Sequence, residues 1–115
     1  MKLIIAGSRD FNNYEQLVGE VLSFISGYSD VTIISGTADG ADSLGEKFAS
    51  DYKCSLIRMP ANWTKYGRSA GFIRNEEMAK IASHCICFWD SRSKGTRNMI
   101  LTANKYKLIT KVVRY

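Results

Sequence analysis

Residues 33–42 read Ile33-Ile34-Ser35-Gly36-Thr37-Ala38-Asp39-Gly40-Ala41-Asp42. A β-branched apolar run passes into a turn bearing two glycines and then into residues that begin a helix. Such a junction gathers free backbone N–H groups and the positive end of a helix dipole, which suits an anionic ligand. Gly36 and Gly40 let the backbone come close to a phosphate, or serve plain turn geometry. Asp42 is placed to bond ribose hydroxyls or to cap the helix, and Asp39 is placed as a more exposed turn residue.

Working outward, the same grammar recurs. Lys2 to Ala6 is a continuous apolar run ending in Gly7-Ser8-Arg9, as expected of a parallel strand buried on both faces. Asn13 with Gln16 forms a capping signature ahead of a stripe at Tyr14, Leu17, Val18, Val21, Leu22 and Ile25, with Gly27 as the stop. Val31 to Ser35 is the second strand. The second helix carries Ala41, Leu44, Phe48 and Tyr52 on one face, with Ser43 and Glu46 at capping-box spacing. Ser55 to Met59 is a third strand closed by Pro60.

Ala61 to Gly71 has no period and reads as a surface loop with room for a helical turn. Phe72 to Ala82 reads as a helix with Ile73, Met78, Ile81 and Ala82 inward and Arg74 and Asn75 in its first turns. His84 to Trp89 is a fourth strand, followed by the polar turn Asp90-Ser91-Arg92-Ser93-Lys94-Gly95-Thr96. A helix bearing Met99, Ile100, Ala103 and Tyr106 and a strand within Leu108–Val113 complete the chain.

Strict β-α alternation predicts one α/β domain over residues 1–115, in three layers: a five-stranded parallel sheet with helices on both faces, for which the order 3-2-1-4-5 is taken. In that order the turns after strands 1, 2 and 4 converge where strand order reverses, the place where open α/β sheets bind ligands.

Composition narrows the function classes. The 115 residues are 45% hydrophobic and 23% charged, the balance of an ordinary globular domain. A net charge of +5 fits an anionic ligand and also weak nucleic-acid binding. Cys54, Cys85, Cys87 and the one histidine, His84, do not have metal-ligand spacing, so no metal and no cofactor is expected. Cys85 and Cys87 alternate in an apolar run and read as buried thiols, which favours a reducing, cytoplasmic location. No apolar run reaches membrane-spanning length, so no membrane partner is expected. The G-x-G-x-x-G dinucleotide fingerprint is absent.

Five motifs in order carry a family resemblance: Gly7-Ser8-Arg9; Gly36-Thr37-Ala38-Asp39-Gly40-Ala41-Asp42; Pro60-Ala61-Asn62-Trp63; Ala70-Gly71-Phe72-Ile73-Arg74-Asn75; and Trp89-Asp90 through Gly95-Thr96. Together they resemble the YspA-like branch of the SLOG superfamily, named for Smf/DprA proteins and the lonely-guy enzymes. The resemblance implies a Rossmann-like domain that binds nucleotides or molecules derived from them, and it implies a homo-oligomer. Some branches cleave the N-glycosidic bond of nucleoside monophosphates, others sense nucleotide messengers, and one binds single-stranded DNA. In the lonely-guy enzymes an arginine at a helix start and a glutamate three residues after a Gly-Thr pair carry catalysis. Arg74 and Gly95-Thr96 match; the position of the glutamate is Met99, which is neither a base nor a carboxylate.

The residues expected to touch a ligand are therefore Gly7, Ser8, Arg9, Gly36, Thr37, Ala38, Asp39, Gly40, Asp42, Trp63, Arg74, Asn75, Asp90, Ser91, Gly95 and Thr96. Arg9 suits bidentate phosphate pairing. Trp63 suits base stacking or pinning its loop. If the chain is an enzyme, Asp90 supplies the carboxylate and Arg74 holds phosphate. Three readings follow in order: a sensor or sequestering protein for a nucleotide-derived molecule; an N-glycosidic hydrolase or transferase on nucleoside monophosphates or NAD-like substrates; and a single-stranded nucleic-acid binder.

Overall fold

The apolar runs within residues 2–7, 32–35 and 84–89 form strands covered from both sides, and the runs at the two edges are largely exposed. The computed structural model describes residues 1–115. Its strands are β1 (Lys2–Gly7), β2 (Thr32–Ser35), β3 (Ser55–Arg58), β4 (His84–Trp89) and β5 (Ile109–Arg114). They form one sheet of order β3-β2-β1-β4-β5, and every pairing is parallel. In register, Ile4 of β1 lies beside Ile34 on one side and Cys85 on the other. This is the expected single Rossmann-like α/β domain.

The helices are α1 (Tyr14–Phe24), α2 (Ala41–Asp51), the short α3 (Trp63–Tyr66), α4 (Ala70–Ile81) and α5 (Lys94–Lys105). Side-chain alternation along β1 splits the core in two. Leu3 and Ile5 pack with Leu17, Val21 and Phe48 of α1 and α2. Ile4 and Ala6 pack with Met78, Ala79, Met99 and Ala103 of α4 and α5. Phe48 and Phe88 are fully buried, each stabilising the fold by roughly 1.5–3 kcal/mol.

Local expectations held where a side chain had one geometric choice. The Asn13 carboxamide caps α1, accepting from the Gln16 N–H at 3.0 Å. The Ser43–Glu46 capping box does not form. Gly40, at φ +73°, is the residue that precedes α2, so Ser43 is already helical and cannot cap it. Ser43 Oγ donates to the Ala38 carbonyl at 3.0 Å instead. Glu46 accepts from Ser35 Oγ at 2.7 Å and from Arg58 Nε at 3.0 Å, bracing β2 against β3.

The 61–71 stretch is more ordered than a loop. Asn62 caps α3 by accepting from the Lys65 N–H, a 3-10 turn spans Gly67–Ser69, and α4 begins at Ala70, two residues before Phe72. Ile81 is exposed rather than inward because it ends α4. Tyr52 follows the end of α2 and lays one ring face on Phe48, centroids 4.6 Å apart, leaving the other in solvent.

Cys85 and Cys87 are fully buried on the α4–α5 side with their Sγ atoms 3.6 Å apart, and Cys54 is partly exposed. No helix is long and apolar enough to cross a membrane.

Candidate functional site

Strands β1, β2 and β4 run parallel, so their carboxyl ends open on the same edge. Two glycines let the turns beyond them close up. A Cβ on Gly40 would stand 2.3 Å from the Ser8 carbonyl oxygen, so only a bare backbone fits between α2 and the β1 turn. A Cβ on Gly36 would stand 2.6 Å from Arg74 Nη1 and 2.8 Å from Asp42 Oδ2. Gly36 is thus the gap into which a half-buried cation, Arg74, and a buried anion, Asp42, both reach.

Arg74 comes from the second turn of α4 and donates from Nη1 to the Gly36 carbonyl and from Nε to Asn75 Oδ1 at 3.1 Å. Asn75 is buried; its Nδ2 donates to Asn98 Oδ1 at 3.0 Å and to the Gly95 carbonyl at 3.3 Å. One α4 dipeptide therefore ties the β2 turn to the start of α5. Burial holds the Arg74 guanidinium below its ordinary pKa, with nearby Arg9 acting the same way and Asp42 opposing.

Asp42 is 5% exposed, and its Oδ2 accepts from the Ala38 N–H at 3.2 Å. It braces the turn rather than capping α2. Burial pushes its carboxyl up to about 6, against the opposing pull of the Ala38 N–H, Arg74 and the Gly7 N–H. A carboxylate so far from its ordinary value, inside a cleft, is a mark of functional sites.

Asp90 has a different situation. Its Oδ1 accepts from the N–H groups of Arg92 and Ser93, each at 2.8 Å, and these bonds hold its carboxyl below the ordinary range. It is an ionised acceptor fastening its own turn, and an ionised carboxylate has no proton to donate. Ser93 caps α5, accepting from the buried Thr96 N–H at 3.2 Å. Ser91, exposed at φ +66°, turns the chain.

The crevice has three adjoining chambers. The central one, about 140 Å³, is lined by Gly7, Arg9, Ala38, Asp42, Trp63, Arg74, Asn75, Gly95 and Thr96 of the expected residues. A chamber of about 350 Å³ adds Gly36, Thr37 and Asp39, closed by Pro60 and Ala61. A third, about 420 Å³, adds Ser8 and Asp90. Gly40 and Ser91 line none of these chambers; they shape the turns that do.

Sequence reasoning missed Ala6, Arg68, Gly71, Phe72, Met78 and Ser93 in the central chamber and Asp10 in the third, and it had marked Met99 only as the position of the missing glutamate. Arg68 lay within the stretch read as a surface loop, and Phe72 at the start of the predicted helix. The Ser93-x-x-Thr96 spacing was the available signal for a cap beside the site. Phe72 and Trp63 are each about half exposed at the rim, and Gly71 lies against the Trp63 ring.

The sequence profile of the family described as YspA, cpYpsA-related SLOG matches residues 1–66. The Gene 61 protein of Mycobacterium phage D29 is 31% identical over 81 residues, which is 65% of this chain and 65% of that protein. The match thus spans slightly less than two thirds of the relative's length. No solved structure matches the chain significantly.

Proposed function

The chain belongs to the YspA, cpYpsA-related SLOG family, and from that premise we propose that it binds a nucleotide or a nucleotide-derived small molecule in the crevice beyond β1, β2 and β4. The observation that supports this reading best is the pairing around Gly36. A half-buried arginine and a buried carboxylate flank one backbone position at the edge where strand order reverses, at a desolvation cost that the core itself does not require. Arg9, Arg68 and Arg74 supply positive charge, and the rim aromatics supply a stacking face. The role is that of a sensor or sequestering protein.

Mass spectrometry of small molecules released by denaturing freshly purified protein tests the reading. A nucleotide-type species should appear, and Arg74→Ala should lose it. Protein that releases none, and shows no thermal shift with a broad nucleotide panel, would sink the reading.

The N-glycosidase reading ranks second. Met99 lines the central chamber where the resemblance expects a glutamate, and Asp90 is committed to its turn. Free base released from nucleoside monophosphates or NAD, and lost in Asp90→Ala, would promote it. Single-stranded nucleic acid ranks third, tested by anisotropy across salt. Self-association in the manner of the family is tested by light scattering.

A further inference from the structure

The central chamber is cramped for the ligand proposed for the crevice. Its volume is about 140 Å³, against the roughly 300 Å³ at the lower end of sites for small organic ligands. The chamber under Pro60 and Ala61 is larger, about 350 Å³. A nucleotide lying across the two must pass the residues common to both linings, which are Arg9, Ala38, Trp63 and Arg74. Room has to come from whichever of these is free to move.

The four are held unequally. The Ala38 N–H is fastened to Asp42 Oδ2 at 3.2 Å, and Arg74 to the Gly36 carbonyl and Asn75 Oδ1. The turn carrying Arg9 is pinned by the Ser8 carbonyl, which accepts from the Phe11 and Ala41 N–H groups. Trp63 stands on a segment with no such fastening. Every residue from Asn62 to Ser69 is exposed, and burial resumes only at Ala70. The hydrogen bonds of this segment are its own: the Lys65 and Tyr66 N–H groups donate to the side chain and carbonyl of Asn62, each at 3.0 Å, and the Gly67 N–H donates to the Trp63 carbonyl. No hydrogen bond joins it to a strand or to α1, α2 or α5, and no ion pair involves it. Lys65 lies over the Tyr66 ring, again within the segment. Its hold on the body is the Trp63 ring resting against Gly71.

A segment that satisfies its own backbone and buries no side chain keeps its shape while it moves. Lifting it exposes little apolar area and breaks no polar contact with the body, the mark of an element at the low end of local stability. It carries two groups that line the central chamber, the half-exposed Trp63 ring and the Arg68 guanidinium. A base or phosphate beneath them offers both a partner that the free protein does not supply.

We infer that residues 61–69 form a lid, hinged where the chain leaves Pro60 and where it enters α4 at Ala70, that lifts to admit the ligand and closes Trp63 and Arg68 onto it. This rests on the nucleotide-binding reading and adds how that site is entered.

Trypsin reads the movement directly, because it cuts after Lys65 and Arg68, both inside the lid. The full chain, freed of any co-purified ligand, is digested in 0, 0.5 and 1 M urea, with rates normalised to an unfolded peptide substrate. The two lid bonds should be cut first, at rates that change less than twofold across the series, since a local opening exposes little surface. Cutting that begins elsewhere, or that climbs with urea in parallel with global unfolding, overturns a separately moving lid. AMP or ADP at saturation, judged by calorimetry, should slow both lid cuts at least fivefold and cuts elsewhere less than twofold. Trp63→Ala, saturated in the same way, should lose that protection to below twofold; full protection without the ring overturns closure through Trp63. If AMP or ADP binds and the lid cuts are not slowed, this inference is overturned while nucleotide binding stands. If neither binds, this inference is overturned, and the wider nucleotide panel decides the reading beneath it.

Discussion

Asp42→Asn should make the protein more stable, and by an amount that depends on pH. The Asp42 carboxyl has an ordinary pKa of 3.8 in an open chain and about 6 when folded, because burial disfavours its charge. For an acid whose folded value is raised, folding takes up a proton, so stability is greatest below the unfolded value and declines as pH rises toward the folded one. Below pH 3.8 the side chain is neutral in both states and costs nothing. Above pH 6 the folded protein carries a charge it would rather lose. A separation of about two pH units corresponds to roughly 3 kcal/mol.

Asparagine is neutral at every pH and keeps an oxygen for the Ala38 N–H. The variant should therefore exceed the parent by about 2–3 kcal/mol at pH 8 and match it at pH 4. Urea denaturation of both proteins at pH 4, 6 and 8, at fixed ionic strength, reads the difference directly. Other carboxylates titrate over this range, but they are common to both proteins and cancel. A variant less stable than the parent at pH 8, or a difference that does not change with pH, would refute the assignment of Asp42 as a desolvated charge.

Three further outcomes follow from the same geometry. Gly40→Ala should cost at least about 2 kcal/mol in chemical denaturation, because φ is +73° and the new methyl would meet the Ser8 and Arg9 carbonyls; a neutral result would mean the β1 turn moves freely. Met99→Glu places a carboxyl where the side chain is 1% exposed, so it should lose about 3 kcal/mol at pH 8 and less at pH 5, read by denaturant midpoints; equal loss at both pH values would show that the new group is solvated. Phe48→Ala empties the centre of the α1–α2 layer and should cost about 3–5 kcal/mol, with a smaller loss showing that the layer collapses around the gap.

The topology was legible because it depends on few choices. Five apolar runs alternating with helical stripes leave little freedom once crossovers must be right-handed. The parallel sheet came from that rule, and the converging turns at Gly7, Gly36 and Asp90 came from taking its order as 3-2-1-4-5, which is the order observed. What escaped was the identity of the side chains that cross from one turn to another. Arg74 donates to a carbonyl 38 residues away, and Asn75 reaches Gly95 and Asn98 on α5. No periodicity records such contacts.

The α2 start misled for a related reason. Ser43 and Glu46 have the spacing of a capping box, but the tertiary need to seat Gly40 under the Ser8 carbonyl shifted the helix start, and both side chains found other partners. In the irregular 61–71 stretch the information lay in a single cap, Asn62, rather than in a pattern.

The placement of the three cysteines also equips the molecule with its own clock. Only a thiol that meets solvent reacts with an alkylating reagent, so each cysteine reports how often its surroundings part. Cys54 lies near the start of edge strand β3 and samples small fluctuations there. Cys85 and Cys87 sit in the strand beside β1, beneath α4 and α5, and can be reached only when that helical layer lifts. Under conditions where reclosing outpaces labelling, the ratio of the fast to the slow reaction measures the free energy of opening one side of the sheet. A ligand that bridges α4 to α5 across the crevice should slow the buried pair and leave Cys54 unchanged, reporting occupancy without any label of its own.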